Sequence, residues 1–66
     1  MLRALIVKYA GDRQLTMDEA LVSYIATRVE RSAAAVRRAV ELLDTEGLRR
    51  GRAVNRALAA ELLRGR

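Results

Sequence analysis

The chain has 66 residues, no cysteine, no histidine and no proline, and a formal net charge of +5 carried by 13 basic residues of which Lys8 alone is a lysine. A single core of this size supplies only about 3–5 kcal/mol, so one small, marginally stable domain over residues 1–66 is the most it can form. The missing residue types exclude disulfide staples, thiolate chemistry, imidazole bases and almost every zinc site. The basic balance suits nucleic acid or an anionic surface, and an excess of Arg and Ala is equally what GC-rich codon usage writes.

Leu2, Leu5, Ile6 and Tyr9 recur at three- and four-residue spacing, which predicts an amphipathic helix ending near Ala10 with Gly11 as its left-handed cap. Asp12 to Gln14 form a short connection. Thr16-Met17-Asp18-Glu19 before an apolar run has the pattern of a capping box. The Thr16 hydroxyl would accept from the Glu19 amide, the Glu19 carboxylate would reach back, and Leu15 would staple onto Ala20. A second helix is expected from Met17 to about Val29, with Leu21, Tyr24, Ile25 and Val29 along its apolar side.

Glu30-Arg31-Ser32 reads as a tight turn, with Ser32 capping a third helix that opens on Ala33-Ala34-Ala35. Its apolar positions are Val36, Ala39, Val40, Leu43 and Leu48, and Arg37/Glu41 and Glu46/Arg50 stand at pairing distance. Gly47 interrupts this pattern at a cost of about 1 kcal/mol and invites fraying; Gly51 is the better terminator, so the end is placed near Arg50. Asn55 caps a last helix carrying Leu58, Ala59, Leu62 and Leu63, with Arg64 and Arg66 suited to its C-terminal dipole. No stripe could bury itself alone, so the expectation is an all-α, compact four-helix bundle.

No apolar stretch approaches the ~20 residues of a membrane span, and the segment opening Met1-Leu2-Arg3 is broken too early for a signal peptide. A cytoplasmic chain without a membrane partner is expected. No phosphate-binding Gly-x-x-x-x-Gly-Lys loop is present, since none of Gly11, Gly47, Gly51 and Gly65 precedes a lysine. Asp18 and Glu19 diverge on a helix and serve its cap, so catalysis is not expected. Tyr9 and Tyr24, the only aromatics, are too few for a base-stacking platform and read as core residues with the hydroxyl reaching the surface.

Taken in order, Leu15-Thr16-Met17-Asp18-Glu19-Ala20-Leu21, Ile25-Ala26-Thr27-Arg28-Val29, Ala39-Val40-Glu41-Leu42-Leu43-Asp44, Gly51-Arg52-Ala53-Val54-Asn55 and Leu62-Leu63 resemble the C-terminal lid subdomain of DnaA/Hda-type AAA+ ATPases. The opening Leu2-Arg3-Ala4-Leu5 and Asp12-Arg13-Gln14-Leu15 look closest to the short Hda-like regulators of alphaproteobacterial type, which lack the initiator's DNA-binding domain; a chain stopping after Arg66 fits that branch. The resemblance implies a lid that packs over ATP or ADP held by the AAA+ core of the same parent protein and acts in chromosomal replication initiation or its regulation. It implies DnaA or a like subunit as a partner, and no ATP hydrolysis by this chain alone.

One departure from the family pattern concerns the nucleotide-sensing arginine called sensor 2. Its position falls on Ala34, or on Ala35 in a shorter turn, and a methyl group cannot contact phosphate. Arg31 and Arg37 are the nearest guanidinium groups able to substitute, each being otherwise a solvated helix charge. Two other readings stand beside the lid. A helix-turn-helix DNA binder would use Arg37, Arg38, Arg49, Arg50, Arg52 and Arg56, with at least non-specific DNA contact, although alanines open its recognition helix. A homodimerisation module would use Val22 and Leu42, left over from the main stripes.

Overall fold

The structure is a computed structural model that describes residues 2–63. Four helices follow one another: α1 (Leu2–Asp12), α2 (Glu19–Arg28), α3 (Ala33–Arg50) and α4 (Arg56–Leu63), with no strand among the described residues. The main packing contacts run between α1 and α2, α2 and α4, α4 and α3, and α3 and α1. The helices thus form a closed ring in which α2 and α3, consecutive in the chain, both rest on α1 and α4. The expected all-α four-helix bundle is what forms.

Each helix contributes to one core, in which Ile6, Leu21, Ile25, Val36, Val40, Leu43 and Leu58 are fully buried. Val22, Ala59 and Leu63 complete it, and Leu5, Tyr9, Tyr24 and Leu42 pack around its edge. Val22 is only 4% exposed, so it is a core residue and not a spare surface for dimerisation. Leu48, placed on the inner stripe of α3 by spacing, is 79% exposed. The buried face instead continues from Leu43 to Gly47, one helical turn on, which turns Leu48 outward by about 100°.

α1 runs through Gly11 to Asp12, and the left-handed residue is Gln14 at φ 58°. Gln14 N–H donates to the Gly11 carbonyl at 3.0 Å and Leu15 N–H to the Ala10 carbonyl at 2.8 Å. This is the paired closure of a Schellman motif, with half-buried Leu15 as its apolar partner. α3 ends in the same way on Gly51 (φ 64°), with Arg52 N–H donating to the Gly47 carbonyl at 2.9 Å and Gly51 N–H to the Leu48 carbonyl at 3.3 Å. Gly51 therefore terminates α3 as expected, and Ser32 Oγ caps its start by accepting from Ala35 N–H at 3.1 Å.

Gly47 does not fray the helix. It is buried within α3, and a β-carbon built there would lie 2.9 Å from Val54 Cγ2 and 3.2 Å from the Arg52 carbonyl oxygen. The glycine is required because the chain folds back over this turn on its way to α4. Asn55 then caps α4, its Oδ1 accepting from Leu58 N–H at 3.0 Å. Arg64 and Arg66, assigned to the dipole of the last helix, lie outside the described residues.

The start of α2 differs from the capping box. Asp18 is the N-cap, its Oδ1 accepting from Leu21 N–H at 2.8 Å, and α2 begins at Glu19. A carboxylate beside free amides at a helix N-terminus gains both a charge-assisted hydrogen bond and the dipole interaction, which a Thr hydroxyl does not. Glu19 is consequently not the third helical residue but the first, and it pairs with Arg3 on α1. Ala20 is exposed, so the Leu15 to Ala20 staple does not form; Met17 and Val22 occupy the staple positions of the new register. Asp18→Ala is expected to cost about 1 kcal/mol, lowering the thermal midpoint by roughly 4–8 °C, while Thr16→Ala leaves it nearly unchanged. Thermal melts of the two variants followed by circular dichroism check this.

Candidate functional site

Seven of the eight acidic residues, Glu30 being the exception, are tied to a cap or a cation. Lys8 reaches Asp12 at 3.4 Å on α1. Arg13, in the reversal after α1, bridges to α3 through Asp44 at 2.8 Å and Glu41 at 3.3 Å. Its hydrogen bond to Asp44 raises the guanidinium above the ordinary arginine range, despite some opposing desolvation. Glu46 accepts from Arg49 at 2.7 Å and Arg50 at 3.0 Å. These two bonds, Arg49 first, hold its carboxyl below the usual range. Glu61 on α4 joins Arg52 at 2.9 Å and Arg50 at 3.2 Å, and its hydrogen bond raises Arg52. The expected Glu46/Arg50 pair is present, whereas Glu41 takes Arg13 as its partner.

Arg28, Arg31, Arg37, Arg38 and Arg56 are exposed and make no ion pair among the described residues. Both suggested sensor-2 substitutes belong to this group, Arg31 in the turn between α2 and α3 and Arg37 in the second turn of α3. Ala34 is exposed beside them and Ala35 is half-buried. Of the arginines proposed for a helix-turn-helix, Arg49, Arg50 and Arg52 are committed to carboxylates, leaving Arg37, Arg38 and Arg56.

Two features here lay beyond sequence spacing. The Arg28 and Arg56 guanidinium carbons stand 5.1 and 5.4 Å from the centre of the Tyr24 ring, so α2 and the start of α4 each place a cation on one aromatic side chain. Such contacts stabilise by about 0.5–1 kcal/mol at exposed sites. Arg28 also lines an open groove of about 900 Å³, together with Arg38, Val29, Ala39, Leu42 and Leu63 among others. Arg28 thus borders both the aromatic contact and the groove.

Asp18 is used as a cap and Glu19 pairs with Arg3, and among the described residues no three carboxylates gather as a metal site. No helix among them is long and apolar enough to cross a membrane. What the surface offers is a set of unneutralised guanidinium groups on α2, the turn after it, α3 and the start of α4. Comparison with protein-family models, curated proteins and solved structures finds no match to this chain.

Proposed function

We propose that this chain is the lid subdomain of a DnaA/Hda-type AAA+ ATPase. It would act in chromosomal replication initiation or its regulation, in the cytoplasm, by packing over ATP or ADP bound to the core of the parent protein. The observation that carries the reading is that two arginines near the start of α3 have no carboxylate partner among the described residues. These are Arg31 and Arg37, which flank the family's phosphate-sensing position. A planar guanidinium left free in this way can meet a phosphate bidentately.

On this reading the chain is a conformational module and not an enzyme. The phosphate cradle, the metal and the attacking water belong to the core, and the lid contributes one cation and a rigid helical cover. Its isolated 66 residues have negligible affinity for ATP or ADP, and calorimetry giving a micromolar dissociation constant for them contradicts the proposal. In the parent protein, Arg37→Ala or Arg31→Ala weakens nucleotide binding by about tenfold or more, as expected for a lost charge-assisted contact. Unchanged binding in both variants removes the phosphate-sensing role.

A further inference from the structure

Every described basic side chain outside the group Arg28, Arg31, Arg37, Arg38 and Arg56 has a carboxylate partner. The unpaired group is not simply out of reach of acid, since Glu30 lies in the same turn and lines the same groove as Arg28 and Arg38. Yet Glu30 makes no ion pair among the described residues, and Glu41, which also lines the groove, is drawn to Arg13 at 3.3 Å. Arg28 and Arg38 thus line one groove without an ion-pair partner among the described residues. Two of the unpaired group are held to a single ring, Arg28 at 5.1 Å and Arg56 at 5.4 Å from Tyr24.

Like charges gathered on one ring repel each other, and that repulsion falls when an anion sits between or across them. The Tyr24 contacts restrict both side chains, so less rotamer freedom is lost when the guanidinium forks engage phosphate. A base has little access to a ring already bearing two cations, and the exposed Ala33 and Ala34 at the start of α3 present no side-chain donors to base edges. The chemistry favours a backbone contact without sequence reading.

We infer that Arg28 and Arg56 on Tyr24, together with Arg38, which lines the same groove as Arg28, form a contact surface for the phosphodiester backbone of nucleic acid. This surface goes beyond the lid reading and is separate from nucleotide sensing by Arg31 and Arg37. It engages phosphates electrostatically, so the affinity falls steeply with salt and is the same for unrelated sequences.

The test is fluorescence anisotropy of the 66-residue chain with two short DNA duplexes of unrelated sequence, between about 50 and 200 mM salt. Single-stranded DNA and an RNA duplex serve as further arms that show which backbone is preferred. The variant Arg28→Gln/Arg56→Gln is compared with Arg49→Gln/Arg52→Gln, which removes the same net charge from the neutralised end. The first is expected to reduce the slope of log affinity against log salt by about one per arginine and the second to leave it nearly unchanged. Glu30→Gln is expected to tighten binding. Circular dichroism confirms that each variant folds. The inference is overturned by equal losses in the two double variants, by no binding at about 50 mM salt, or by polyglutamate binding as tightly as the duplex.

Discussion

Leu43→Ala is expected to abolish the cooperative thermal transition of this chain near room temperature. Leu43 is fully buried at the middle of α3, in the cluster that joins Ile6, Leu21, Val40 and Leu58. Removing a buried leucine side chain costs about 2–5 kcal/mol through lost transfer energy and the cavity left behind. A domain of this size has only about 3–5 kcal/mol to lose. Leu48→Ala, five residues along the same helix, removes a side chain that is 79% exposed and should shift stability by no more than about 0.5 kcal/mol. Far-UV circular dichroism on heating separates the two; a Leu43→Ala protein that melts within a few degrees of the unaltered chain would contradict the packing described here.

The second large effect is expected at Gly47, where helix propensity and packing oppose one another. Alanine is favoured over glycine in a helix interior by about 1 kcal/mol. Its β-carbon would however meet Val54 Cγ2 at 2.9 Å and the Arg52 carbonyl oxygen at 3.2 Å. The carbonyl belongs to the backbone that returns over α3 and yields little, so overpacking costing about 1–3 kcal/mol decides the sign. Gly47→Ala should destabilise, and Gly47→Val, with two more carbons in the same space, should destabilise further. Gly11→Ala provides the contrast, because a β-carbon there meets nothing within 4 Å and the substitution should stabilise by roughly 0.5–1 kcal/mol. Urea midpoints of the three variants check the order; a stabilised Gly47→Ala would show that residues 52–54 do not lie against α3.

The parts of the fold legible in the sequence were those where one residue had the needed chemistry and no neighbour competed. Ser32 before three alanines, Gly51 after Arg50 and Asn55 before a leucine-rich run each mark a boundary that the structure keeps. The start of α2 was ambiguous because Thr16 and Asp18 both carry a competent acceptor two residues apart. Tertiary packing settles it, since the later register brings Leu21, Val22 and Ile25 inward together. Gly11 carries the conventional signal for a left-handed cap, yet Gln14, which carries none, adopts that conformation so that Leu15 reaches the core. Gly47 looked like a helix weakness from local propensity alone, because the strand of chain that needs the space comes from beyond Gly51.

The candidate site was less legible for a related reason. The Glu46/Arg50 pair lies four residues apart on one helix and follows from spacing. Arg13 with Asp44, and Arg52 with Glu61, connect different elements and appear only once the bundle closes. Which arginines stay unneutralised is what remains after those long-range pairs form. The meeting of Arg28 and Arg56 on Tyr24 depends likewise on α2 lying against α4.

The reversal at Gln14 bears on how the molecule assembles. A side-chain-bearing residue in the left-handed region is disfavoured by about 1–2 kcal/mol, and the cost is offset by the two closing hydrogen bonds together with the packing of Leu15 against the core. The core that Leu15 packs against draws its side chains from α3 and α4 as well as from α1 and α2. Formation of this corner is thereby coupled to closure of the entire ring, which favours all-or-none folding over the accumulation of partly ordered forms.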